Sequence, residues 1–354
     1  MTNCSCKGTF FLDLSLPSPL QQLTADSFFV EMRQRYNDFG TWIRSRFPYR
    51  VQKLSVDAGF SCPNRDGRIG TGGCIYCDNR TFSPAYLSLY GDLGDASEGA
   101  ERRQAMLGRM PSVAAQLEAG KKFFARKYPD MKYLCYFQSF TNTYAPLSTL
   151  RRLYEEALSV PDVVGIVVGT RPDCVSPELL DYLSSLSGKM VIVEYGIEST
   201  NDDTLRRINR GHDFECVRRA VEATHERGLL CGGHLIMGLP GESRDEIVAQ
   251  ATVVSQLPID ILKLHQLQVI RGTRLEREYA AAPFPLFGVD DYIRLIADYI
   301  EHLRPSIVLE RFVSQSPASL LVAPRWGLKN HEFTAKLEKH LSEHDVWQGK
   351  KYVG

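Results

Sequence analysis

The chain has 354 residues, 42 of them basic and 42 acidic, so its formal net charge is zero. Hydrophobic residues make up 44% and charged residues 24%, ordinary globular usage that excludes collagen, coiled coil and wholesale disorder. The length allows two domains or one large barrel with a full core, and the balanced charge gives no global attraction to nucleic acid or to an anionic membrane.

Nine cysteines are an odd number, too sparse over this length for a disulfide framework. The N-terminus MTNCSCKGTFFLDLSLPSPL has an acid within its apolar part and makes a poor export signal. No apolar stretch nears the ~20 residues that span a bilayer. A cytoplasmic chain without membrane contact is therefore expected, its cysteines being thiols or metal ligands.

Residues 1–25 are expected to be a flexible extension. Residues 26–47 carry a helical pattern, with Asp26 or Ser27 as cap and Phe28, Phe29, Met32, Tyr36 and Phe39 near one face. Buried-strand patterns follow at 51–57, 132–139, 162–169, 190–197, 230–237 and 260–269. The later strands start about 30 to 40 residues apart, enough for a strand–helix–strand unit each. Pro146, Ser176-Pro177, Asp213 and the pair Ser243 and Glu246 open the intervening helices.

This alternation predicts an α/β fold with a parallel sheet and outer helices. Six strands are too few for a closed eight-fold barrel. A partial (β/α)6 TIM-like barrel or an open wound sheet remains, with the active face at the carboxyl ends of the strands. Residues 58–97 form a long Gly-, Pro-, Asn- and Cys-rich loop on that face, followed by a helix over 98–127. From about 280 the pattern changes to a Pro/Phe turn, a helix near 290–303, a strand-like 307–313 and a polar C-terminal helix. The expected parts are thus 1–25, a partial barrel over 26–280, and C-terminal cap elements over 281–354.

The loop segment FSCPNRDGRIGTGGCIYCDN holds Cys62, Cys74 and Cys77, spaced C-x11-C-x2-C. Cys74 and Cys77 can ligate one centre, and the glycines let the backbone wrap closely. Three thiolates suit an iron–sulfur cluster with one open iron, or a zinc site lacking a ligand. No histidine falls within 58–97, and Cys4 and Cys6 lie in the extension. The missing fourth ligand favours a 4Fe-4S cluster with an exogenous ligand. A packed or redox-active CxxC is the plain alternative; the third cysteine and glycine-rich arm weigh against it.

With this loop, the segments YFQSFTNTYAP, GTRPDC, YGIES, HLIMGLPGE and LHQLQVIRGT resemble the radical S-adenosylmethionine (SAM) superfamily. The match is to its YhcC-like group, related to the radical domain of the Elongator catalytic subunit, over about residues 36–330. The eleven-residue first spacing departs from the superfamily's usual three.

The resemblance implies a 4Fe-4S cluster on Cys62, Cys74 and Cys77 with SAM on the open iron. It implies reductive cleavage of SAM to a 5′-deoxyadenosyl radical, hydrogen abstraction, and an electron donor such as flavodoxin or ferredoxin. Tyr76 stands in the aromatic position before the last cysteine. Gln138 and Ser139 fall where relatives bond the methionine amino group, with strand-end capping as the alternative. Glu198 aligns with a ribose or methionine contact. Arg210 aligns with an arginine that meets the SAM carboxylate, whereas Arg206 and Arg207 are a solvated face. His234 is either a ribose contact or a core histidine. Gly238 and Gly241 would let backbone approach adenine. Arg171 and Asp173 either face SAM or substrate, or pair internally.

His265 and Gln268 are opposite in parity, so one of them points into the barrel, and Arg271 is a further candidate. Cys135 and Cys231 are packing residues; Cys174 and Cys216 fall at loop or helix positions. The Elongator relationship points to tRNA wobble-uridine modification. Neither an acetyltransferase domain nor an RNA-binding appendage is visible, so a small-molecule or protein substrate stays open. The other function class is a zinc-organised nucleic-acid or protein binding module without radical chemistry. Balanced charge and the lack of an aromatic RNA platform count against it.

Overall fold

Each apolar run becomes a strand because its alternate side chains have two different faces to fill. The computed structural model describes residues 34–82, 110–125, 128 and 130–354. The extension 1–25 with Cys4 and Cys6, the caps Asp26 and Ser27, and loop residues 83–97 lie outside the described residues.

The six expected strands form at β1 (Val51–Val56), β2 (Lys132–Phe137), β3 (Val163–Thr170), β4 (Met190–Glu198), β5 (Leu230–Met237) and β6 (Ile261–Gln266). They pair in sequence order, all parallel. The intervening helices are α2 (Val113–Ala125), α3 (Leu147–Ser159), α4 (Pro177–Ser184), α5 (Asp202–Arg207), α6 (Phe214–His225) and α7 (Arg244–Ser255). The sequence caps are in place. Ser176 accepts from the Leu179 N–H, Asp213 accepts from Cys216, and Ser243 with Glu246 forms a capping box. Pro146 sits one residue before its helix. The helices bury Leu150 and Tyr154, Val217 and Val221, and Ile247 and Val254 against the outward residues of the sheet.

Two expectations change. The helix expected over 26–47 is, within the described residues, only α1 (Phe39–Arg46), capped by Asp38, which accepts from Gly40 and Thr41. Residues 34–37 are not helical, and Asp38 instead bridges to Leu309. The strand-like 307–313 is also more than a cap element. Its β8 (Val308–Arg311) pairs parallel with β6 and makes the sheet seven-stranded. The C-terminal region thus supplies a wall of the half-barrel. Its other elements are β7 (Val269–Ile270), α8 (Arg274–Ala281), α9 (Val289–Glu301), β9 (Leu321–Ala323) and α10 (Asn330–Glu343), with β7 and β9 an antiparallel pair. No helix among the described residues is long and apolar enough to cross a membrane.

The concave face is layered. At the amino ends of the strands, Phe39, Trp42 and Ile43 of α1 pack on Leu134, Val167, Ile192, Ile261 and Val308. Further along, the inward positions become charged. At the carboxyl ends lies the cysteine loop. Because α1 plugs the amino-end opening, Ile43→Ala is expected to destabilise the fold by about 2–5 kcal/mol. Urea denaturation checks this; an unchanged midpoint would mean that α1 is not part of the core.

Candidate active site

The loop after β1 gains its shape from distant partners. Ile75 donates its N–H to the Ile208 carbonyl (3.0 Å), and Leu275 donates to Ile75 (2.8 Å). Asn64 Nδ2 donates to Asn209 O at 2.6 Å, and Asn209 Nδ2 donates to Gly73 O at 2.8 Å. Arg65 crosses the loop and donates to the Cys77 carbonyl at 2.6 Å. The result brings Cys62, Cys74 and Cys77, all free thiols, onto one cavity.

Cations surround the thiols. Arg210 Nη1 lies 3.6 Å from Cys74 Sγ, and its Nη2 donates to Gly196 O at 2.5 Å and stands 3.8 Å from Glu198 Oε1. A Cβ at position 196 would come 2.6 Å from both Arg210 Nη2 and Glu198 Oε1, so a side chain there would displace this pair. Burial pushes the Cys77 thiol up to about 11, against the pull of Arg65. Arg171 Nη1 and Arg210 Nε are buried with no hydrogen-bond partner among the described residues. Three thiols with guanidinium neighbours and two orphaned guanidinium donors fit an anionic, thiolate-ligated group with an anionic co-ligand. Among the described residues, no three His, Cys, Asp or Glu groups gather around a single ion position.

The floor of the cavity is an ion network. Glu194 on β4 accepts from Lys53 on β1 (2.8 Å), Lys263 on β6 (2.7 Å) and His234 on β5 (2.9 Å). Lys53 and Lys263 also reach Glu310 on β8, at 2.5 and 3.2 Å. Burial disfavours the ionised Glu194, yet Lys263 and Lys53 hold it well below the usual carboxylate range. Burial, with Arg311 and His234 facing it, holds His265 well below the ordinary imidazole value, so the ring is neutral at pH 7.

The Radical SAM superfamily model matches residues 65–251 and the Radical_SAM C-terminal domain model matches 259–343. Protein YhcC of Escherichia coli (strain K12) is 34% identical over 319 residues, covering 90% of this chain and 96% of that one. This chain belongs to the radical SAM superfamily. It is also 30% identical over 171 residues to a tRNA uridine(34) acetyltransferase of Dehalococcoides mccartyi, covering 47% of this chain and 36% of that one. The solved structure of the archaeal Methanocaldococcus infernus Elp3 with an N-terminal deletion has a TM-score of 0.59 at 16% identity. It covers 85% of this chain and 64% of that one, and shows a shared fold.

In this radical SAM chain, Tyr76, Gln138, Arg171, Glu198, Arg210 and His234 line the cavity with the three cysteines. Their engagements refine the expectations. Arg171 is bidentate to Asp173, with Nε–Oδ1 and Nη2–Oδ2 both 2.8 Å, so the internal ion pair forms and only Nη1 is left over. Gln138 accepts from Ser55 Oγ at 2.8 Å. His234 is engaged by Glu194 rather than free.

Two expected residues do not reach this cavity. Ser139 is buried in the bend after β2 and is not on its wall. Gly238 instead packs beside Leu286 and Phe287, and a Cβ there would meet the Phe287 ring at 2.9 Å. Its lack of a side chain is explained by that ring. Of the parity pair, His265 faces the cavity, while Gln268 holds the segment at Ser314 and Ser316. Arg271 donates to Ser319 O, also outside the cavity.

Sequence reasoning passed over Lys53, Glu194, Lys263, Glu310 and Arg311. A signal was present: a single charge in an apolar strand, as in VIVEYG and ILKLH, at a parity shared with inward residues.

The stabilising share of Glu194 is fully present above its unfolded pKa of about 4.3 and is lost as pH falls through its depressed folded value. Denaturation of the metal-free chain from pH 7 to pH 3 should therefore show stability falling below about pH 4.3. Glu194→Gln should be less stable at pH 7 by about 3 kcal/mol, because it leaves Lys53 and Lys263 to share the single carboxylate of Glu310, and should show a shallower acid limb. Equal acid limbs would sink the assignment.

Proposed function

We propose that this chain is an enzyme that holds a 4Fe-4S cluster on Cys62, Cys74 and Cys77 and binds SAM beside it for radical chemistry. The observation that carries the reading is the convergence of three thiols from one loop with the unsatisfied donors Arg171 Nη1 and Arg210 Nε on one cavity at the strand ends. The chemistry such a pair supplies when bound is one-electron cleavage of the sulfonium carbon–sulfur bond, leaving a 5′-deoxyadenosyl radical for hydrogen-atom abstraction.

The protein's own part is positional. Arg210 and Arg65 offset the negative charge gathered at the thiolates. Arg171 and Arg210 offer guanidinium donors to the SAM carboxylate, and Glu198 and Gln138 offer acceptors to its amino or hydroxyl groups. A second, neighbouring cavity shares Tyr76, Cys77 and Glu198 with the first and carries Ile236, Leu267 and Ile270 on its wall, apolar surface suited to the adenosine. The buried walls keep water from the reacting atoms. A flavodoxin- or ferredoxin-type protein is the one-electron partner this reaction requires.

Anaerobic reconstitution should give a coloured protein whose visible charge-transfer band bleaches on reduction. With reductant it should form 5′-deoxyadenosine from SAM, and Cys62→Ala, Cys74→Ala and Cys77→Ala should each abolish both iron binding and cleavage. A colourless protein with stoichiometric zinc and no 5′-deoxyadenosine would establish the zinc-module reading instead.

For the substrate, partial similarity to a tRNA uridine(34) acetyltransferase supports tRNA wobble-uridine modification, whereas the zero net charge supplies no phosphate-binding field. Modified nucleosides from a deletion strain should lack or gain a uridine derivative. An unchanged profile removes tRNA from consideration.

A further inference from the structure

The register between β6 and β8 is irregular. Leu262 pairs with Leu309, but Lys263 pairs with Arg311, leaving Glu310 as an extra residue. A bulge of this kind re-aims side chains. Here Glu310 turns inward to the two buried lysines, while Arg311 also lines the active-site cavity.

Arg311 differs from the other cavity cations in having nothing to neutralise it. Arg171 has Asp173, Arg210 has Glu198 and the Cys74 thiol, and Lys263 has Glu194 and Glu310. Arg65 is bonded to the Cys77 carbonyl within the cysteine loop. The Arg311 guanidinium is half-buried and makes no ion pair or hydrogen bond among the described residues. The carboxylates on the floor are already shared between Lys53 and Lys263. A partly desolvated cation without a partner is costly, and a guanidinium presents a planar fork matched to a carboxylate or phosphate.

His265 adds a second, independent observation. It lies two residues beyond Lys263 on β6, so it shares the inward face, and its Nδ1 is buried with no partner. It lines the same cavity as Arg311. A neutral imidazole can donate one hydrogen bond to an anion held by the neighbouring guanidinium.

We propose that Arg311, with His265 beside it, anchors an anionic oxygen group of the substrate, a carboxylate or a phosphate, on the β8 side of the cavity. The assignment rests on the radical reading only in taking the occupant to be the substrate of that reaction. SAM has its own anion partners in Arg171 and Arg210 near the cysteines, so the Arg311 anchor is a separate place for charge. The substrate is thereby an acid or a phosphorylated compound that enters the barrel charged group first.

Chemical modification of the full chain tests this. The anaerobically reconstituted, SAM-loaded protein is treated with phenylglyoxal, and peptide mass spectrometry follows Arg311, Arg171 and Arg210. Arg311 is expected to react faster than the two paired arginines. Either acetate or methyl phosphate is expected to slow its modification at saturation, roughly tenfold or more; protection by acetate identifies a carboxylate, and protection by methyl phosphate a phosphate. In calorimetry, Arg311→Gln should weaken the protecting anion by roughly tenfold, and Arg311→Lys by less.

The proposal is overturned if Arg311 does not react without added anion, if neither anion protects it, or if SAM alone protects it completely. The same protection measured on cluster-free protein separates the two readings. Protection without any 5′-deoxyadenosine formation removes the radical chemistry and leaves the anion anchor. SAM cleavage with Arg311 unprotected removes the anchor alone.

Discussion

The buried carboxylate of Glu194 is the constraint around which the half-barrel is arranged. It sits mid-strand on β4, inside the barrel, where an unpaired charge would be prohibitive. Lys53 from β1, Lys263 from β6 and His234 from β5 converge on it. Space for it comes from Gly232, where a Cβ would lie 2.8 Å from Glu194 Cγ. Lys53 also reaches Glu310 on β8, and β1 and β8 are the two edge strands of the sheet. One cation therefore ties both edges to the centre and fixes the curvature at that level. Below it the lumen is apolar and filled by α1; above it the lumen is open.

The same network sets the electrostatics of the open part. By using two lysines and a histidine to hold Glu194 and Glu310, it leaves no free carboxylate on the floor for Arg311. Nearer the mouth, the arginines are committed to other partners: Arg210 to Cys74 and Glu198, Arg171 to Asp173, Arg65 to the cysteine loop. The cavity is thus divided into a thiol and guanidinium region at the strand ends and a floor with one uncompensated cation. A chain with no net charge can in this way present a locally cationic site.

Much of the fold was legible because it is local. The six apolar runs, the capping box at Ser243 and the caps at Ser176 and Asp213 are short-range signals, and each formed within a few residues of its expected place. Among the described residues the helical pattern expected over 26–47 is interrupted at 34–37, and Asp38 caps α1 through the Gly40 and Thr41 N–H groups, a local signal that the apolar spacing outweighed. The seventh strand was taken for a cap element because nothing in IVLERFV says which edge it will join. Gly238 shows the same gap. Its pattern suggested approach to a ligand, but the neighbour that requires a glycine is Phe287, 49 positions later in the chain and unpredictable from spacing.

By itself the sequence determined the candidate donor set, three thiols in one loop with no histidine within it, and a six-unit strand–helix rhythm that puts the loop at the strand ends. These follow from composition, spacing and periodicity, which are properties of neighbouring residues. Only the tertiary structure decided which charges neutralise one another. Lys53 meets Glu310 across 257 positions, and Arg311 points inward because of a one-residue bulge. Sheet curvature and register control those meetings, and a one-residue shift of register would send each of these side chains to the opposite face.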